Sequence, residues 1–224
     1  MAGYNPRFLC DPRTWDGAAD EPLPESERRL VVDLPRFSPA LEASILRTPA
    51  LTGEVVAEYV NYSVVMNRQP HRRSAVVAAL NIDQTQVRDV RRSDRWRVDS
   101  RIGAAHQLDN DYYYDNPWDR GHLARRASAA WGRSNAAAGR ASDETFYYSN
   151  ATLQHKHYNQ DEWLALEDWV LALDRLADGR VSSFSGPIYD SFVRSIEPEG
   201  RPLATVPSAF FKAGLRTRIT ESSW

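Results

Sequence analysis

Cysteine is almost absent from this chain: Cys10 is the only one among 224 residues. No internal disulfide can form and no thiolate metal site can be built. Lysine is nearly absent too, with Lys156 and Lys212 the only two, so arginine carries almost all the positive charge. No run of 18 apolar residues marks a membrane span, and the start Met1-Ala2-Gly3-Tyr4-Asn5-Pro6 lacks a basic-then-apolar leader pattern. The chain therefore reads as soluble, with the compartment open. There is no Gly-x-Ser-x-Gly elbow, phosphate loop, His-Glu-x-x-His or dinucleotide fingerprint, which removes the commonest hydrolase and nucleotide-enzyme readings. No internal repeat is visible either.

The net charge of −2 excludes a uniformly basic coat, but its distribution is uneven. Residues 1–60 and 141–224 each carry net −4, and residues 61–140 carry net +6. A basic middle in an acidic chain suits a cleft for a polyanion.

Residues 5–40 are rich in Pro, Asp and Glu, and Pro22, Pro24, Pro35 and Pro39 speak against regular elements there. We read 1–58 as an extended arm on the surface and 59–224 as the domain proper. Residues 59–66, 73–82, 145–153, 180–189 and 203–213 read as strands. Residues 84–101 are a strand or loop, 110–117 a turn-rich, tyrosine-rich approach, and 127–143 a loop with a short helix. Residues 159–177 carry the best helical pattern. The mixture predicts an α+β fold, an antiparallel central sheet flanked by helices.

The chemistry concentrates in Asp119-Arg120-Gly121-His122. His122 is a base that works near neutral pH. Arg120 offers a fork suited to phosphate oxygens, Gly121 permits close backbone approach, and Asp119 can orient a neighbour. On an ideal 159–177 helix, Trp163, Leu166, Val170, Leu173 and Ala177 form one stripe. Asn159 points into that stripe and Glu167 lies at its edge. Eight residues span ~12 Å along the axis, too far for easy joint ligation of one ion. Asn159 as a direct ligand, with Glu167 holding a metal-bound water, fits better, and an oxygen site of this kind suits Mg²⁺. Arg125-Arg126 are candidates for the nucleic-acid backbone. His155 and His157 lack a third zinc ligand and read as ordinary histidines. Trp118 and Trp131 could stack on bases, but tryptophans beside a buried strand, like the Tyr112-Tyr113-Tyr114 run, read first as packing.

Asp119-Arg120-Gly121-His122-Leu123, then Thr145-Phe146-Tyr147-Tyr148-Ser149-Asn150, Gln154, Asn159-Gln160, Trp163 and Leu166-Glu167 resemble the DNA/RNA non-specific endonucleases of the ββα-metal superfamily. Ser185-Gly186-Pro187 and Val206-Pro207-Ser208-Ala209-Phe210-Phe211-Lys212 continue the pattern in order. The resemblance implies a ββα-metal site and Mg²⁺-dependent cleavage of DNA and RNA, with Mn²⁺ as a substitute. It gives His122 as general base, Asn159 as metal ligand and Glu167 in the water shell. It places Asp119, Arg120 and Asn150 in the site, with a phosphate-binding arginine at Arg72 or Arg73, Arg73 being preferred. A homodimer and an inhibitor or immunity protein are the partners it suggests. The alternatives are a nucleic-acid-binding protein of the same fold with little catalysis, and the nuclease module of a toxin system. The chain departs from the family pattern at Leu153, where a proline is usual, and at Ser149 and Ser185, where threonines are. It also ends at Trp224, soon after the last motif, so a truncated C-terminus is expected.

Overall fold

A computed structural model describes residues 3–10, 22–173, 179–190 and 194–216. Its central element is a five-stranded antiparallel sheet in the order β1-β2-β3-β6-β9. The strands are β1 (Val56–Tyr59), β2 (Tyr62–Met66), β3 (Ala75–Asp83), β6 (Arg180–Ile188) and β9 (Ala209–Arg216). The strand expected over 59–66 is observed as β2, but the range also takes in the end of β1 and the turn of a β1–β2 hairpin. Its turn is Val60-Asn61, and Asn61 takes a positive φ of 69°, which asparagine tolerates better than most residues.

β3 is buried along almost its whole length, because both faces of the sheet are covered. On one face Tyr62, Val64, Met66, Leu80 and Ile82 pack with Leu123, Ala129 and Val170. On the other, Val65, Val77, Ala79 and Phe184 pack with Tyr4, Val32, Leu34 and Phe37. The N-terminal segment thus packs on the sheet: its first residues enter the interior, while residues 22–43 are half-buried or exposed. Tyr4, Phe8 and Leu9 are buried, Gly3 donates its N–H to the Tyr59 carbonyl at 2.7 Å, and Asn5 donates its N–H to Asn81 Oδ1 at 2.6 Å. Prolines there do not prevent helix. The short α1 (Glu25–Arg28) follows Pro24, and α2 (Pro39–Glu42) begins on Pro39 with Ser38 capping the Leu41 N–H. Proline's fixed φ suits a first helical position, where no N–H partner is needed.

The second unit is an antiparallel pair, β4 (Trp118–His122) and β5 (Ala151–His155). Between them lie α3 (Arg126–Ala129) and α4 (Asn135–Glu144), where a loop with one short helix was expected. β5 runs directly into α5 (Lys156–Gln160), giving a strand–strand–helix unit. The expected 159–177 helix is interrupted: α5 ends at Gln160, and α6 (Glu162–Leu173) starts after Asp161, whose φ/ψ of −110°/−85° is not helical. Asp161-Glu162 brings two carboxylates to the start of α6, where the helix dipole favours negative charge. Ala177 lies outside the described residues. The expected strand 203–213 is split by Pro207-Ser208 into β8 (Ala204–Val206), paired with β7 (Arg194–Ile196), and β9. The reading of the tail beyond 216 also falls outside the described residues. No helix among the described residues is long and apolar enough to cross a membrane.

Candidate active site

The Asp-Arg-Gly-His run becomes a strand because it is paired, residue for residue, with β5. Asp119 faces Gln154, Arg120 faces Leu153, Gly121 faces Thr152 and His122 faces Ala151. Alternation along a strand sends Trp118, Arg120 and His122 to one side and Asp119 and Gly121 to the other. Gly121 is required by its neighbour: a Cβ there would sit 2.0 Å from Gln154 Oε1. Gln154 itself is fully buried, and its amide has no hydrogen-bond partner among the described residues.

α5 brings its end to β4. Asn159 Nδ2 donates to Asp119 Oδ2 at 3.0 Å, and Gln160 Nε2 donates to the same oxygen at 2.8 Å. Asp119 thereby turns the Asn159 amide so that its nitrogen is engaged and its oxygen is left as the acceptor. These three residues line an open polar cavity of about 830 Å³ together with Arg120, Arg92 and Arg95. Asn110 is also on this wall, and its Oδ1 accepts from Arg120 Nη2.

His122 is half-buried, two residues along β4 from Arg120. Its ring packs against Trp96 at 4.9 Å and edge-on to Phe146 at 5.3 Å between centroids. Trp96 lines the polar cavity, and the Arg120 guanidinium lies 5.9 Å from its ring. Burial, and then the charges of Arg92 and Arg126, push the His122 pKa down to about 3. Its Nε2 is covered and has no hydrogen-bond partner among the described residues. At neutral pH this is an uncharged imidazole with an unused ring nitrogen.

The other expected site residues lie elsewhere. Glu167, on α6, is buried between two cations: Lys212 Nζ is 3.0 Å from Oε1 and Arg125 Nε is 3.3 Å from Oε2. Burial raises its pKa and lowers that of Lys212, and their contact opposes both shifts. With the helix broken at Asp161, the argument that Asn159 and Glu167 share one helical stripe fails, and Glu167 is not on the wall of the cavity. Asn150 is fully buried and spent on backbone: Oδ1 accepts from Ala124 N–H, and Nδ2 donates to the carbonyls of Ala124 and Thr145. It fixes the chain just after His122 instead of facing a ligand. Arg73 is buried, donating to Tyr112 Oη at 2.5 Å and to the Pro70 carbonyl. Arg72 lies 4.9 Å from the Tyr189 ring. Neither lines the cavity. Arg125 is tied to Glu167 and Asp168, and Arg126 reaches the Val90 carbonyl and Ser142.

Besides Arg120, the cavity wall carries Arg92 and Arg95, which the sequence reading passed over. Their signal was the density of arginine over 88–101. No regular pattern showed that this stretch would fold back onto His122. Trp96 was missed for the same reason.

The family model of the DNA/RNA non-specific endonucleases matches residues 43–219. Human mitochondrial endonuclease G is 32% identical over 160 residues, covering 67% of this chain and 51% of that protein. An uncharacterized protein, y4fB, of Sinorhizobium fredii is 34% identical over 197 residues, covering 82% of this chain and 28% of its own length. Mouse mitochondrial nuclease EXOG is 25% identical over 181 residues, covering 77% and 47%. The chain thus spans about half, or less, of the length of these relatives. The crystal structure of the EndoG/EndoGI complex shares the fold, with a TM-score of 0.56 at 21% identity over 71% of this chain and 66% of that one. On the matched 43–219 span and these identities, the chain belongs to the DNA/RNA non-specific endonuclease family.

Proposed function

We propose that the protein is a divalent-metal-dependent endonuclease that hydrolyses phosphodiester bonds of DNA and RNA without base specificity. The observation that carries this reading is the polar cavity in which Asp119, Arg120, Asn159, Arg92 and Arg95 meet, with a neutral His122 packed on its Trp96 wall, its Nε2 without a hydrogen-bond partner among the described residues.

The donor set fits Mg²⁺, with Mn²⁺ as a substitute. Asn159 would hold the ion through Oδ1, because Nδ2 is given to Asp119. Among the described residues no three His, Cys, Asp or Glu side chains are grouped to cage an ion. That suits a hard cation that keeps most of its waters and shares a substrate phosphate. When bound, it supplies charge that polarises the phosphoryl group and stabilises the departing 3′ oxygen. Arg120, Arg92 and Arg95 hold the non-bridging phosphate oxygens. His122 takes a proton from a water as the water oxygen bonds to phosphorus and the bond to the 3′ oxygen breaks. The products are a 5′-phosphate and a 3′-hydroxyl, the latter protonated from solvent. Contacts directed at phosphate carry no base information, hence the weak sequence preference. The inhibitor bound to the structural relative motivates a search for an inhibitor protein of this chain.

Incubation of supercoiled plasmid and of RNA with the purified protein tests the reading. Nicking and RNA loss in Mg²⁺, abolished by a chelator, are expected. Intact substrates in both conditions would refute it.

A further inference from the structure

A second cavity, of about 450 Å³, lies beside the first and differs from it in character. Its wall is mainly apolar and aromatic: Trp118, Leu153, Tyr158 and Phe210, with His155 and Arg194. Two elements contribute to both cavities at consecutive positions. On β4, Trp118 lines this cavity while Asp119 and Arg120 line the polar one. On α5, Tyr158 lines this cavity while Asn159 and Gln160 line the polar one. The two cavities thus share the β4 and α5 backbones, and Arg120 of the polar wall lies on the same side of β4 as Trp118.

We propose that this aromatic cavity is a nucleobase subsite, which receives an unstacked base next to the phosphate held in the polar cavity. The proposal rests on the nuclease reading above. Tyr158 and Phe210 form a near-parallel pair, with centroids 5.7 Å apart and planes at 21°. Trp118 meets His155 edge-on at 5.6 Å, and the Arg194 guanidinium lies 5.8 Å from the Trp118 ring. Arg194 is exposed and makes no ion pair among the described residues. A nucleotide has the matching parts: an apolar, π-faced base for the aromatic wall and an anionic phosphate for the cation at its rim. The volume falls within the ~300–1,000 Å³ of small-molecule sites. Stacking on aromatic rings is tolerant of sequence, because every base has a π-face. A base can enter only when it has left the stack, so single-stranded flanks are preferred to duplex ones.

The test uses short end-labelled single-stranded oligonucleotides carrying one tetrahydrofuran abasic residue. Cleavage at every linkage is resolved on a sequencing gel and compared with the intact strand. In the wild-type protein with Mg²⁺, one linkage at a fixed offset from the lesion slows by about tenfold, the scale of one lost stacking contact. The dip vanishes in Tyr158→Ala. It also shrinks in Tyr158→Leu, which keeps apolar volume but removes the π-face and serves if Tyr158→Ala does not fold. A flat profile from an active wild-type protein overturns the subsite and leaves the nuclease reading standing. A dip that persists unchanged in the Tyr158 variants also overturns it. Absence of cleavage at all linkages overturns the nuclease reading itself.

Discussion

Removing the Lys212 charge tests how the interior behind β9 is held. Lys212 and Glu167 form an ion pair at 3.0 Å with side chains only 5% and 8% exposed, and the ammonium also lies 4.7 Å from the Trp163 ring. Lys212→Met keeps the apolar stem and strands a buried carboxylate. Breaking such a pair from one side costs about 3–5 kcal/mol. Arg125 remains 3.3 Å from the other carboxylate oxygen, so the lower end, about 3 kcal/mol, applies. For a chain of this size that lowers Tm by roughly 6–12 °C. Lys212→Met with Glu167→Leu removes both charges, leaves Arg125 its partner Asp168, and should recover most of the loss. The pH dependence has a definite sign. Burial raises the Glu167 pKa in the folded protein, and more so without Lys212. The folded state of Lys212→Met then binds a proton that the unfolded state, with a carboxyl near ~4.3, has released. Its deficit is full above the folded pKa and shrinks as pH falls towards the unfolded value. Thermal unfolding of the wild type and the single and double variants at neutral and mildly acidic pH measures all of this. A single-variant loss below about 1 kcal/mol, or a double variant no better than Lys212→Met, would refute the reasoning.

His122→Ala should cut cleavage by ~10²–10⁴ while gel-shift binding of DNA persists; near-normal turnover removes the general-base role. With its pKa depressed to about 3, below the unfolded value of ~6.5, His122 contributes stability that is present above ~6.5 and lost as pH falls towards 3. The acid limb of the pH–rate profile should lie well below 6.5 as well, and a limb at 6.5 contradicts the burial. Gly121→Ala drives a Cβ into the buried Gln154 side chain and should cost about 1–3 kcal/mol in denaturant unfolding, relieved by Gln154→Ala. Asp119→Ala releases the amides of Asn159 and Gln160, with an expected ~10–100-fold rise in the metal concentration at half-maximal cleavage. An unchanged metal titration would mean that Asp119 does not orient Asn159.

What the sequence made legible was local or carried by motif. The apolar run of β3 and the long β6 announce a buried sheet by composition alone. Asn61 in the β1–β2 turn, Asp161-Glu162 at the start of α6 and Pro207-Ser208 before β9 were visible breakers. Apolar content or helical periodicity outweighed them, and each erased a real boundary. Asp119, Arg120 and Asn159 were singled out, and they do meet. Asn150 and Glu167 belong to the same motifs but serve the interior, one bonded to backbone and the other to Lys212 and Arg125. Arg92, Arg95 and Trp96 reach the cavity only through the tertiary path of an irregular segment. Its contacts with Phe146 and Tyr148 are separated by about fifty residues of chain. Tyr4, Phe8 and Leu9 are apolar residues in a proline-rich stretch, and their burial depends on a sheet face that only the folded domain provides.

The central claim is that Asn159, turned by Asp119, is the side chain through which a divalent cation is held at the cavity. Its most direct test is a Mg²⁺ titration of the plasmid-nicking rate for wild type and Asn159→Ala, with circular dichroism confirming that both are folded. The account predicts a saturable, chelator-sensitive rate for the wild type and a drastic loss for Asn159→Ala that added Mg²⁺ rescues poorly. An Asn159→Ala protein with the wild-type rate and the wild-type Mg²⁺ dependence would contradict it.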